Sequence, residues 1–153
     1  MFTDAELGYL AGLLDGEGSI YISCRNEGGY KNYFARFQIV NTNFDVMHWI
    51  KNKFGGLLFV RERSKTNPRW KDSMEWFTNV KELDSLLPLL IPYLIIKKPH
   101  ALIMQEFRKT FTGKAGGKRT SPKLRTVRAE YYDKLKKLNR RGPISSSPVS
   151  PSP

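Results

Sequence analysis

At 153 residues the chain is long enough for one domain with a real core, and its single cysteine, Cys24, excludes an internal disulfide and a cysteine-held zinc. Its 26 Lys plus Arg against 14 Asp plus Glu give a net charge of +12, which favours a polyanionic partner, nucleic acid above all. The excess is uneven: residues 1–95 carry 11 basic and 11 acidic residues, whereas residues 96–153 carry 15 and 3. Two histidines, His48 and His100, are too few for a metal site of their own. No signal peptide or membrane span is visible, so a soluble, intracellular protein without a membrane partner is expected.

Thr3-Asp4-Ala5-Glu6 has the spacing of a capping box and predicts a helix from about Asp4. Leu7, Leu10, Ala11 and Leu14 repeat at helical spacing. Gly8, Gly12 and Gly16 fall four apart on one stripe, although glycine costs a helix interior roughly 1 kcal/mol relative to alanine. A second backbone approaching that stripe closely is the physical reason to accept such a cost. The helix closes on Asp15-Gly16-Glu17-Gly18, which sets carboxylates at a helix end that already carries partial negative charge. A bound cation would resolve that conflict.

Ser19 to Arg25 alternates, with Ile20, Ile22 and Cys24 on one face and Ser19, Tyr21, Ser23 and Arg25 on the other. Asn26-Glu27-Gly28-Gly29 reads as a hairpin turn. Tyr30 to Val40 alternates again, with Tyr33, Ala35, Phe37 and Ile39 on the core face and Asn32, Phe34, Arg36 and Gln38 opposite. A second helix is expected from about Asn43 to Phe54, stopped by Gly55-Gly56. A second hairpin follows: Leu57 to Arg63 with Arg61 and Arg63 on one face, a polar loop, then Arg69 to Thr78. In that last strand Trp70, Met74 and Trp76 are expected to face in, and Arg69, Lys71, Ser73 and Glu75 out.

Asn79 to Glu82 starts a Leu-rich helix limited by Pro88 and Pro92, and Lys97-Lys98-Pro99 starts another. Ser121-Pro122 opens a last helix whose apolar positions are Leu124, Val127, Tyr131, Leu135 and Leu138. The expected organisation is one domain over residues 1–139 and a disordered Ser/Pro-rich tail over 140–153. The fold class is α+β, an αββαββα chain with an antiparallel saddle-shaped sheet, helices on one face and extra C-terminal helices.

The outward faces of the two hairpins mix arginine, lysine, amides and aromatics. A two-stranded ribbon fits the major groove of B-DNA, where arginine reads guanine and glutamine or asparagine reads adenine. Residues 18–79 carry 10 basic against 5 acidic residues. Arg25, Arg36, Arg61, Arg63, Arg69 and Lys71 are therefore candidate DNA contacts, with Tyr21, Ser23, Asn32, Phe34, Gln38, Ser73 and Glu75 as secondary ones.

Leu10-Ala-Gly-Leu-Leu-Asp-Gly-Glu-Gly18 resembles the signature of the LAGLIDADG homing endonucleases, with Glu17 in the place of the final acid. The resemblance covers roughly residues 5–110 and implies a site-specific double-strand DNA endonuclease, intron-encoded, cutting a long pseudo-palindromic site. A single motif implies a homodimer whose motif helices meet at a two-fold axis through Gly8, Ala11, Gly12 and Gly16. Asp15 is then structural, capping the facing helix. Each copy contributes Glu17 as a metal ligand and the backbone carbonyl of Gly16 as a second one. Magnesium is the implied metal, with manganese able to substitute. Pro92-Tyr-Leu-Ile-Ile-Lys97 resembles the segment carrying the family's active-site lysine, so Lys97 is the implied catalytic lysine. Asn41 stands where the family places a polar residue, often glutamine, and could equally cap the second helix. Two rival readings remain: an RNA-binding intron maturase, and a catalytically silent DNA-binding protein on the same scaffold.

Overall fold

The structure is a computed structural model that describes residues 1–111 and 120–140. Ten elements include five helices and four strands: α1 (Asp4–Glu17), β1 (Gly18–Glu27), β2 (Tyr30–Asn41), α2 (Phe44–Phe54), β3 (Leu57–Arg61), β4 (Ser73–Phe77), α3 (Val80–Leu90), α4 (Lys98–Lys109) and α5 (Pro122–Asn139), with a short 3-10 turn at Arg63–Lys65. The expected Ser/Pro-rich tail lies outside the described residues, apart from Arg140, which caps α5.

Local chemistry sets the boundaries. Thr3 and Glu6 close the expected capping box at the start of α1: the Thr3 N–H donates to Glu6 Oε2 at 2.9 Å and the Glu6 N–H to Thr3 Oγ1 at 3.3 Å. Asn43 caps α2 by accepting from the Val46 N–H at 3.1 Å. Asn79 caps α3 through the amides of Lys81 and Glu82. Gly28 and Gly29 both take positive φ, which the tight turn of the first hairpin demands. Helix α3 runs two residues past Pro88 and ends before Pro92, between the two prolines expected to limit it. A proline in the last turn forfeits one backbone bond, which a helix end tolerates far better than its middle.

The four strands form one antiparallel sheet in the order β1-β2-β4-β3. The two hairpins thus join through β2 and β4, but only where Gln38–Asn41 face Met74–Phe77. Beyond that seam the first hairpin extends alone, its register running from Gly18 opposite Ile39 to Glu27 opposite Tyr30. Ile20, Ile22, Tyr33, Ala35, Phe37 and Ile39 are buried on one face, as the alternation predicts. They pack with Leu10 and Leu14 of α1, Trp76 of β4, and Leu83, Leu86, Leu90, Met104 and Phe107 of the later helices. Cys24 is half-buried at the margin.

The second hairpin departs from expectation. Strand β3 ends at Arg61 and β4 begins only at Ser73, so Arg63, Arg69 and Lys71 lie on the connecting loop. Trp70, expected inside, is 55% exposed. The loop is closed by polar contacts of its own. The Asp72 carboxylate accepts from the Ser64 N–H at 2.9 Å, and Asn67 Oδ1 accepts from the Arg69 N–H at 3.0 Å. These bonds satisfy backbone groups that a ladder would otherwise use.

Helices α4 and α5 cover the inner face of β1 and the free end of the first hairpin. Leu135 of α5 is buried, Tyr132 packs on Tyr33 at 5.6 Å, and the Arg125 guanidinium lies 4.0 Å over the Tyr30 ring. At the other end of α5 the Asn139 side-chain amide donates to the Ile20 carbonyl at 3.2 Å.

Candidate active site

Helix α1 hands the chain directly to β1 at Gly18. A Cβ there would sit 2.7 Å from the Leu14 Cα and 2.9 Å from its carbonyl oxygen, so only glycine permits this turn. The geometry holds Glu17 at the junction of the sheet and the helix layer, exposed. Asn41, at the end of β2, donates its Nδ2–H to Glu17 Oε2, while its own Oδ1 accepts from the Asn43 N–H at 2.7 Å. Asn41 therefore fixes Glu17 and the loop into α2 together; the cap of that helix belongs to Asn43.

A cleft of about 250 Å³ opens beside this pair, lined by Glu17, Val40, Asn41, Thr42, Arg63, Lys71 and Ser73. It gathers residues from four separate stretches that the sequence singled out. Two cations, Arg63 and Lys71, thus flank one carboxylate, a setting suited to an anionic ligand.

Lys97 reaches the same helix end from the opposite side of the chain. Its Nζ donates to the Asp15 carbonyl, one of the last α1 carbonyls, which lacks an intrahelical donor. The last turn of α1 has no basic residue of its own, so Lys97 supplies the positive charge that a helix C-terminus favours. Burial pulls the Lys97 ammonium below its ordinary range, and the Asp15 charge opposes that shift. The carbonyl of Gly16 is also left without an intrahelical donor, because the residue four positions on, Ile20, already belongs to β1.

Asp15 differs from its expected place at a partner's helix. Its carboxylate accepts three backbone amides of its own chain, from Ile95 (2.7 Å), Ile96 (3.1 Å) and Lys97 (2.8 Å), just ahead of α4. Burial alone would raise its pKa, but the three amides and the Lys97 charge outweigh that and hold it below the ordinary aspartate value of 3.8. A carboxyl with a lowered folded-state pKa stabilises the fold above its unfolded pKa and loses that contribution as pH falls through the folded value. Asp15→Asn is therefore expected to cost about 2 kcal/mol at neutral pH and to flatten the loss of stability below pH about 4. Urea titrations across pH check both; an unchanged acid limb would remove Asp15 from this role.

Ala11 is also corrected. It is fully buried against its own chain's core, so it presents nothing to a second copy. The glycine stripe is open instead: a Cβ on Gly12 or Gly16 would meet nothing within 4 Å, and one on Gly8 only the Tyr93 ring at 3.9 Å. Beside the same helix end stand two large apolar side chains that the sequence did not single out, Ile95 at 84% and Ile96 at 67% exposure. The turn after Pro92 leaves them outside the core.

The outer face of the sheet carries the expected mixture. Tyr21 lies opposite Arg36, Ser23 opposite Phe34 and Arg25 opposite Asn32. Arg25 lies 5.5 Å over the Phe34 ring and Arg36 lies 4.9 Å over Phe77, which stacks on Phe59 at 5.2 Å. Asn32 donates to Glu27 at 3.0 Å. Two secondary candidates do not face solvent. Glu75 is buried at the centre of the sheet, between β2 and β3, and Ser73, buried at the start of β4 opposite Arg61, borders only the cleft beside Glu17. Arg69 sits out on the loop, apart from the cleft residues.

A family model described as LAGLIDADG endonuclease matches residues 10–111. No curated protein matches the chain. Among solved structures, the archaeal intron-encoded homing endonuclease I-Vdi141I complexed with DNA is 18% identical, with a TM-score of 0.73 over 91% of this chain and 87% of that one. The homing endonuclease I-CvuI in complex with a DNA target in the presence of Mg is 20% identical, with a TM-score of 0.71 over 91% and 85%. The LAGLIDADG homing endonuclease I-LtrWI bound to target DNA is 17% identical, with a TM-score of 0.69 over 88% of this chain but 45% of that one. At such identities the likeness establishes the fold, and the model match, which begins at the first residue of the glycine-and-acid segment, establishes descent: the chain belongs to the LAGLIDADG endonuclease family.

Proposed function

We propose that the chain is a homodimeric, divalent-metal-dependent homing endonuclease, encoded in an intron, that hydrolyses both strands of a long pseudo-palindromic DNA site. The observation that carries this reading is the position of Glu17. It stands exposed at the end of α1, braced by Asn41, in a cleft lined with Arg63 and Lys71.

The donor set fits a hard cation. Glu17 offers a carboxylate and Gly16 a carbonyl free of the helix ladder, and magnesium or manganese favours such oxygen ligands while keeping several waters. Among the described residues, no group of three His, Cys, Asp or Glu could hold an ion within one chain. A second copy would bring a second Glu17 and double the set. Divalent ions held by Glu17 and the Gly16 carbonyl would supply an activated water and a stabilised leaving oxygen for phosphodiester hydrolysis. Arg63 and Lys71 draw the phosphates into the cleft, Asn41 orients the Glu17 carboxylate, and Lys97 sets a positive charge against the end of α1.

Support for the dimer comes from α1. Its Gly12–Gly16 stripe is open, and the exposed Ile95 and Ile96 adjoin it. The chain also spans less than half of I-LtrWI, so two copies match that protein's size.

The test is cleavage of a random duplex library by the purified full chain in magnesium and in EDTA. Recovery of one enriched, near-symmetric site only with magnesium is the expected result. Selective duplex binding without cleavage would reduce the chain to a binding protein, and preference for structured intron RNA over duplex would favour a maturase.

A further inference from the structure

Resting on the reading of the outer sheet face as a DNA-binding surface, we propose that Glu75 is a positioning residue that fixes which base edges Gln38 and Arg61 can read. Glu75 is only 9% exposed, yet both its carboxylate oxygens are engaged. Gln38 Nε2–H donates to Oε1 from the neighbouring strand β2. The Arg61 Nε–H donates to Oε2 at 2.5 Å from β3 on the other side, and its terminal Nη2 lies equally close. One buried carboxylate therefore ties the outer faces of three adjacent strands, β2, β4 and β3, at their common centre.

The chemistry of the acceptor removes a freedom. An ionised carboxylate only accepts, so the group that Gln38 turns toward it must be its NH2. The amide cannot flip without placing its carbonyl oxygen against the carboxylate. The carbonyl is thereby pointed away from Glu75, toward the outer face, together with the remaining N–H. That pair of one acceptor and one donor matches adenine, which offers N6–H and N7 in the major groove. Arg61 has spent its Nε edge on Glu75 and is half exposed, so its free terminal N–H groups are those that face outward. They match the O6 and N7 acceptors of guanine. Without Glu75 the glutamine presents either face of its amide, and the arginine swings freely.

This predicts a change in discrimination rather than a uniform loss of affinity. The experiment is enrichment of bound sites from a random duplex library by the full chain, wild type and Glu75→Gln, with cleavage suppressed by calcium in place of magnesium. Wild type is expected to show an adenine and a guanine at adjacent or near-adjacent positions of each half-site. In Glu75→Gln the preference at those two positions falls about tenfold, while preferences elsewhere persist. Gln38→Ala removes the adenine preference by itself, and adding Glu75→Gln to it produces no further change at that position. That second comparison holds even if the buried substitution lowers stability, because it is read only at one base. Failure of the wild type to enrich any sequence would sink the DNA-binding reading. A wild-type site that Glu75→Gln leaves unchanged, or a loss spread evenly over all positions, would sink the role of Glu75.

Discussion

Glu17→Gln is expected to leave folding and duplex binding in calcium unchanged and to lower the cleavage rate in magnesium by roughly a thousandfold or more, the scale set by several kcal/mol of lost metal-assisted stabilisation. The side chain is exposed and its hydrogen bond comes from the Asn41 amide. Glutamine keeps the shape and still offers an oxygen to Asn41, so nothing in the fold is left unpaired. What it loses is the charge that would hold the proposed cation. Single-turnover cleavage, gel shifts and a thermal melt on the same preparation separate these effects. A variant that cuts at the wild-type rate would move the chemistry away from this helix end.

Gly12→Leu is expected to dissociate the proposed dimer and abolish double-strand cleavage while leaving each chain as stable as before or slightly more so. The argument has two halves. Within one chain nothing lies within 4 Å of a Cβ at Gly12, and leucine favours a helix interior over glycine by about 0.5–1 kcal/mol. Across the two-fold axis of the proposed dimer, however, a leucine on each copy would keep the backbones apart and separate the two Glu17 side chains. Sedimentation and melting curves give the two readouts. A fully stable dimer would show that the copies meet elsewhere.

Local patterns in the sequence foretold most of the scaffold because local chemistry decides it. The Thr3–Glu6 cap starts α1, and the alternation of Ile20 to Cys24 and Tyr33 to Ile39 sorts the first hairpin into two faces as the sheet requires. Arg69-Trp70-Lys71 alternates just as well, yet it lies on a loop. Its backbone is diverted by Asp72 and Asn67, whose competing bonds leave no mark on the period of hydrophobicity. In α1 the spacing sets Ala11 with Leu7, Leu10 and Leu14 and Gly12 on the glycine stripe, and the structure buries the first set and leaves Gly12 open; only the family resemblance draws Ala11 into the interface. The partners of Asp15 stand some 80 residues away in the chain, and those of Glu75 on two other strands. Such contacts become legible only with the register and the packing in hand. Glu17, Asn41 and Lys97 are singled out by the family resemblance alone, and the structure places all three around the end of α1.

Helix α5 has an effect out of proportion to its distance from the cleft. Past the short seam with β4 the first hairpin is a two-stranded ribbon, and such ribbons do not hold their shape in water unaided. Pinned at Tyr30, Tyr33 and Ile20, α5 splints it along its length. The pitch and stiffness of the ribbon are thus governed from the far end of the polypeptide. Substitutions on α5 can tilt the whole row from Ser19 to Arg25 without altering one of its side chains.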